Sequence, residues 1–421
     1  MINRVLLLCS LLFILNRPAF ASEVLIPMDD AQKDHLKAYG VAYYILTKQI
    51  EVDWLLNYRG GSFAFKHSPA LENELVVRGV SYTVISDSQY GSILSQIASP
   101  DANMDVMKLE KVPKIAVYSP KSKQPWDDAV TLVLTYAEIP YDVIFDEEVM
   151  DGNLPKYDWL HLHHEDFTGQ YGKFYTYYRN YPWYRAQQQE AETIAKKYGF
   201  NKVTQLKLSV VKKIKEFCAG GGFMFAMCSA TDTYDIALAA EGTDIADVMF
   251  DGDGMDPQAQ EKLDYSKTFA FKDFKISRNP YEVEFSDIDN QIAERSLMQS
   301  NDFFQLFTFS AKWDPIPTML TQNHEKTIKG FMGQTTAFKK KFIKSDVVLM
   351  GETKAANEVR YMHGTMGKGT WTFYGGHDPE DYQHMVDEEP TDLKLHPNSA
   401  GYRLILNNIL FPAAKKKKQK T

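Results

Sequence analysis

Within residues 220–233 the chain passes from three glycines through a short apolar run to a cysteine, and then straight into helix-forming sequence. Gly220, Gly221 and Gly222 make a turn, Phe223 to Met227 reads as a buried strand, and Cys228 stands at its end. A helix is expected over Tyr234 to Ala240. A sharp strand-to-helix turn lifts a side chain out of a sheet and points it at helix N–H groups. Those groups and the helix dipole also favour a thiolate, so one placement supplies both exposure and activation. Far downstream, Trp371 to Gly376 is another strand that ends on His377, with Asp378, Glu380 and Asp381 close behind. A strand-end cysteine and a strand-end histidine can meet only through the fold.

The rest of the chain alternates between the two periodicities. Strands are expected at Val24 to Met28, Val52 to Leu56 and Tyr82 to Ser86, with helices at Ala31 to Leu46, Ala70 to Arg78 and Gln89 to Ala98. Arg59 to Ser62 reads as a loop and Ser99 to Lys111 as a polar linker. A second series follows: strands at Lys114 to Tyr118, Asp142 to Phe145 and Trp159 to His163, and helices at Trp126 to Ala137, Tyr184 to Tyr198 and Leu206 to Ala219. Parallel strands need helical crossovers, so this alternation predicts an α/β fold with a doubly wound, mostly parallel sheet. Ligands of such sheets bind at the carboxyl ends of the strands, where Cys228, His377 and the His161 to Asp166 loop all fall. Residues 251–354 are less regular and read as a partly β insertion. Strands return at Val347 to Met350, Glu358 to His363 and Gly369 to Gly375, and a helix at Ser399 to Leu410 closes the chain.

The ends carry their own signals. Met1 to Arg4 is basic, Val5 to Leu15 is apolar and Ala19-Phe20-Ala21 is a small-x-small cleavage pattern, so 1–21 is expected to be a secretory leader and the protein exported, periplasmic or secreted. No run is long enough for an integral membrane segment. The net charge is −8, from 47 basic and 55 acidic residues. Removing the leader arginines and the lysine-rich tail at 413–421 leaves a more acidic body, which argues against nucleic acid as a partner. After the leader only Cys218 and Cys228 remain. The intervening strand sets them roughly 20 Å apart, too far for a disulfide, so both are expected to be free thiols.

Three further clusters carry chemistry. His161 and His163 share a face of their strand, and Glu165 could join them in a zinc-type set; the other reading is a polar loop beside the site that includes His163, His164 and Glu165. Tyr175 to Arg185 is dense in aromatics, as in a lid or a sugar-stacking platform. Asp251 to Asp256 is acidic, but its glycines are misplaced for a calcium loop.

The glycine turn, strand, Cys228, helix and late strand ending in Gly375-Gly376-His377 together resemble the class I glutamine amidotransferase-like family. The resemblance covers about Lys114 to Leu410 and implies Cys228 as nucleophile, His377 as its base, and an oxyanion-binding loop with Gly169 or Gly172 as donors. The family's Gly-x-Cys-x-Gly elbow is here Ala226-Met227-Cys228-Ser229-Ala230, and its acid, two residues after the histidine, is here Pro379. Asp378 or Glu380 is then expected to orient His377. The overall plan is also similar to exported proteins labelled asparagine synthetase B. The chain carries no Ser-Gly-Gly-x-Asp-Ser loop, and Ser22 rather than a cysteine would open the mature chain, so synthetase chemistry is not expected.

These readings divide the chain into a leader (1–21), an N-terminal β/α region (22–105), an amidotransferase-like part bearing the Cys (112–250), the insertion (251–354), a closing part bearing the His (355–412) and the tail. The expected function is a Cys–His hydrolase of an amide or ester, with Ser229 and Gly169 supplying N–H groups to the oxyanion and no cofactor. The alternatives are a non-catalytic module on the same fold, binding a small-molecule, peptide or glycan ligand, and a metal-dependent hydrolase centred on His161 and His163.

Overall fold

The computed structural model describes residues 21–120, 128–289 and 297–415, so residues 1–20 of the leader reading and 416–421 of the tail reading fall outside the described residues. The fold is mixed α/β, built on two sheets. The larger sheet contains β6 (Ile115–Tyr118), β7 (Asp142–Ile144), β8 (Trp159–Leu162), β9 (Phe223–Met227) and β15 (Gly369–Tyr374), all parallel. Antiparallel strands extend it beyond β15: β14 (Glu358–Met366), β13 (Val348–Thr353), β10 (Phe303–Leu306) and β11 (Thr327–Lys329), with β12 (Phe338–Lys339) also on β14. The sequence between 251 and 354 therefore adds strands to the main sheet as well as loops.

The N-terminal region departs from the expected β/α units. Its strands β1 (Ala21–Ile26), β2 (Val52–Leu56), β3 (Ser62–Lys66), β4 (Thr83–Ser86) and β5 (Asp105–Leu109) form an antiparallel sheet in the order β4-β1-β3-β2-β5. The β1–helix–β2 crossover exists, but β3, which falls between the expected Arg59–Ser62 loop and the helix expected from Ala70, slots between its two strands. The polar stretch read as a linker pairs with β2 as edge strand β5, burying Met107 and Leu109 on one face. The doubly wound prediction thus applies at most to the larger sheet.

The helix His35–Thr47 is buried along almost its whole length because it lies between the two sheets. Tyr39 packs edge-on against Trp54 and Phe63 of the small sheet. On its other side Gly40 allows the closest approach: a Cβ there would fall 1.8 Å from the Ala137 carbonyl oxygen. The closing helix Ala400–Leu410 is equally sealed, and its buried Arg403 donates to the carbonyls of Met28, at 2.8 Å, and Gly60. This guanidinium ties the Arg59–Gly61 turn to the main body. Arg59 itself pairs with Asp29 at 2.6 Å. Among the described residues no helix is long and apolar enough to cross a membrane.

Candidate functional site

The three central parallel strands end at the same level. Register pairs Leu162 with Ala226 and Tyr374 with Met227, so the residues that follow, His163-His164, Cys228 and Gly375-Gly376-His377, emerge side by side. Backbone bonds fix this edge: Cys228 N–H donates to Gly376 O, and Ala230 N–H to His163 O, both at 3.1 Å. Cys228 itself has φ 49° and ψ −140°, and the helix Ser229–Ala239 begins at the next residue. For a residue with a Cβ this backbone is strained, and such strain persists only where the surroundings over-determine it. The elbow forms although alanines occupy both flanking positions; Ala226 and Ala230 are fully buried.

Cys228 is only 2% exposed. Burial pushes its thiol pKa up, while backbone N–H groups of Thr335, Ser229 and Gln334 that converge on the sulfur work against the rise. Gln334 and Thr335 belong to a loop from the insertion that the sequence did not single out. A Cβ on Gly333 of that loop would lie 3.1 Å from Cys228 Sγ and 2.9 Å from His377 N, so glycine is what lets the loop close over the pair. The loop is held rigidly. Asp289 accepts from Thr336 N–H and Ala337 N–H at 2.7 and 2.9 Å, and Gly376 N–H donates to Thr335 O at 2.9 Å. The fully buried Arg360 bonds Phe331 O and Thr336 O and forks onto Asp302 with two bonds of 2.7 Å.

His377 is oriented by a group other than the expected acids. Its Nδ1 lies 3.0 Å from His163 Nε2, and His163 Nδ1 lies 3.1 Å from Asp128 Oδ2. The Nδ1 contact is one of charge proximity rather than an aligned hydrogen bond; a carboxylate facing Nδ1 favours the tautomer protonated there, which presents the Nε2 lone pair to His377 Nδ1–H. This leaves Nε2 as the basic nitrogen of His377. Asp378 instead accepts from Thr391 and from Glu380 N–H, and Glu380 faces His396 at 3.1 Å. Both acids thus have partners of their own. Burial and the neighbouring His163, His164 and His384 rings hold His377 well below the usual histidine range. Burial pushes Asp128 up, but His161 and His163 more than offset it and keep its carboxyl well below the ordinary range. His384 stacks on His377 with ring centroids 5.0 Å apart.

The remaining expectations are sorted by the same geometry. His161 and His163 do converge, but on Asp128 rather than Glu165, and His161 is sealed in the core against Trp159. Glu165 faces a neighbouring cavity with Asp166 and Lys207, where burial drives its pKa up to about 8. Gly169 packs against Thr204 and lines that same cavity, so it is not beside Cys228. Gly172 O accepts from the Gln334 side chain at 2.8 Å, a supporting role for the loop. Asp244, Asp251 and Asp253 surround the Lys202 ammonium, which stands where a cation would. Cys218 is buried and free, as is Cys228.

Cys228, His377, His164 and His384 open onto a cleft of about 240 Å³, walled by Phe174, Tyr177, Tyr178, Val283, Met332 and Met385. The aromatic stretch thus splits in function: Tyr177 and Tyr178 line the cleft, while Tyr184 is buried. No Asp, Glu, Lys or Arg is among the described residues lining it.

No family model matches the chain, and no curated protein does. Among solved structures, the cytoplasmic protein STM3548 of Salmonella typhimurium is 9% identical with a TM-score of 0.33, covering 72% of this chain and 100% of its own. The cytoplasmic protein STM1381 of Salmonella typhimurium LT2 is 12% identical with a TM-score of 0.35, covering 70% and 99%. A GH42 β-galactosidase, Gan42B, is 12% identical with a TM-score of 0.26 over 63% of this chain and 28% of its own. Likenesses this distant leave the site to be read from its own geometry.

Proposed function

We propose that the protein is a cysteine-dependent hydrolase of amides or esters, exported from the cell, on a sheet of the class I glutamine amidotransferase-like kind. The observation that carries this reading is the strained Cys228 elbow, with backbone N–H groups converging on its sulfur, in one cleft with a histidine held by an imidazole and a carboxylate. Burial favours the neutral form of both partners, so the resting pair is thiol and imidazole rather than an ion pair. His377 Nε2 takes the thiol proton as Sγ attacks the substrate carbonyl, and returns it to the leaving nitrogen or oxygen. Asp128, acting through His163, stabilises the imidazolium that forms between these steps. The N–H groups of Ser229 and Gln334 hold the oxyanion. Water then hydrolyses the thioester with His377 again as base.

The aromatic and methionine walls, with no Asp, Glu, Lys or Arg among the described lining residues to pair with an amino-acid zwitterion, support a neutral apolar or aromatic acyl group rather than free glutamine. A panel of nitrophenyl esters and acyl-nitroanilides tests the proposal. Turnover of neutral acyl substrates, lost in Cys228→Ala, is expected. Turnover that survives the substitution, or none across the panel, would refute it.

A further inference from the structure

The geometry points to a zinc site made by His163, His164 and His377, whose occupation switches the Cys228 centre off. Each histidine offers one ring nitrogen, and the three ligand atoms lie within 4.8 Å of one another. The nearest pair, His163 Nε2 and His377 Nδ1, is 3.0 Å apart. Tetrahedral zinc, with bonds of about 2.0–2.1 Å, holds its nitrogen ligands roughly 3.3 Å from each other. That pair needs to open by only a few tenths of an ångström, and His164, on the partly exposed loop after β8, closes on the third position.

Two features favour a metal over a chance cluster. Asp128 stands behind His163 at 3.1 Å from Nδ1, so the Nε2 lone pair is already aimed at the site; a carboxylate behind a ligating imidazole fixes its tautomer and strengthens it as a ligand. The donor set is all imidazole, which suits zinc and its first-row neighbours and not magnesium or calcium. Three protein ligands leave a fourth position, and two of the three, His164 and His377, line the cleft shared with Cys228.

The consequence for the chemistry follows from one proton. In the metal-free protein His377 carries it on Nδ1, donating to His163, and Nε2 is the base. When Nδ1 coordinates zinc its lone pair is used there, so the proton moves to Nε2, with no net change in protonation of the ring. His377 then has no nitrogen left to accept the thiol proton of Cys228. This inhibition rests on the proposed hydrolase reading; the binding site itself does not.

Equilibrium dialysis and calorimetry of metal-free full-length protein with zinc sulfate, and cobalt(II) absorption spectra, test the site. One zinc per chain is expected, with the intense visible bands of tetrahedral cobalt, in wild type and in Cys228→Ala alike. His164→Ala, at a partly exposed position, is expected to weaken binding by roughly 100-fold. The same weakening should be absent in His384→Gln. Failure to bind, equal binding by His164→Ala, or loss of binding in Cys228→Ala or His384→Gln would overturn the site. Zinc that binds as described while ester turnover is absent from the outset would leave the site standing and remove the hydrolase reading. Zinc that binds without slowing turnover would overturn the switch.

Discussion

Asp128→Asn isolates the role assigned to the buried carboxylate. Asp128 Oδ1 accepts from Thr131 N–H at 2.9 Å and caps the helix Ala129–Tyr136, whereas Oδ2 meets His161 Nε2 in a hydrogen bond and His163 Nδ1 in an ion-pair contact, each at 3.1 Å. Asparagine caps a helix about as well as aspartate, so that bond persists. Two buried charge-assisted contacts, worth about 1.5–3 kcal/mol each, become neutral ones worth about 0.5–1.5 kcal/mol. The expected loss of stability is therefore about 2–3 kcal/mol, read from urea unfolding. The catalytic effect is larger. An amide Nδ2–H facing His163 Nδ1 reverses the His163 tautomer, so Nε2–H now donates to His377 Nδ1. The proton of His377 is then forced onto Nε2, the wrong tautomer for a base. Ester turnover and Cys228 acylation should fall by about 10³–10⁴-fold with the fold intact. A folded Asp128→Asn protein with turnover within threefold of wild type would refute the relay.

Other expectations follow from the same structure. The positive φ of Cys228 suits glycine, so Cys228→Gly should be more stable than Cys228→Ala by about 1 kcal/mol, the reverse of the ordinary ranking, in thermal unfolding; equal or lower stability would deny the strain. Because burial raises the thiol pKa, alkylation of Cys228 by iodoacetamide should keep rising with pH above 9, with no thiolate plateau near pH 6. Glu165 and Asp232, both pushed up to about 8 by burial, bind protons more tightly folded than unfolded. They stabilise the fold below the ordinary carboxyl range, and that stability is lost as pH rises through 8. Glu165→Gln with Asp232→Asn should therefore flatten the fall in Tm between about pH 4.5 and 8, and an unchanged fall would contradict the assignment. Arg360→Met leaves Asp302 buried without its partner and should cost about 3–5 kcal/mol; a smaller loss with full Cys228 reactivity would show that the 331–336 loop does not depend on it.

Local periodicity carried the strands and helices of the central sheet well, because β6, β8, β9 and β15 are short apolar runs closed by turns or helix starts. It failed where pairing partners decide structure. Ser62–Lys66 and Asp105–Leu109 have no marked strand signal alone, and only the neighbours β1 and β2 make them strands. The position of Cys228 was legible from the strand-to-helix change, even without flanking glycines. The acid proposed to orient His377 was not, since Asp128 lies 249 positions before His377 in the sequence and meets it only by way of His163. A capping aspartate before a helix gives no hint that its second oxygen serves two imidazoles. Gln334 and Thr335 were invisible for a related reason: they contribute backbone N–H groups, which any residue type could supply.

Intact-mass analysis of the protein mixed with a nitrophenyl acyl ester and quenched in acid examines the central claim most directly. The account predicts one acyl adduct per chain, mapped to Cys228, absent in Cys228→Ala and formed about 10³-fold more slowly in His377→Gln. An adduct on another residue, or acylation of Cys228 at an unchanged rate in His377→Gln, would contradict it.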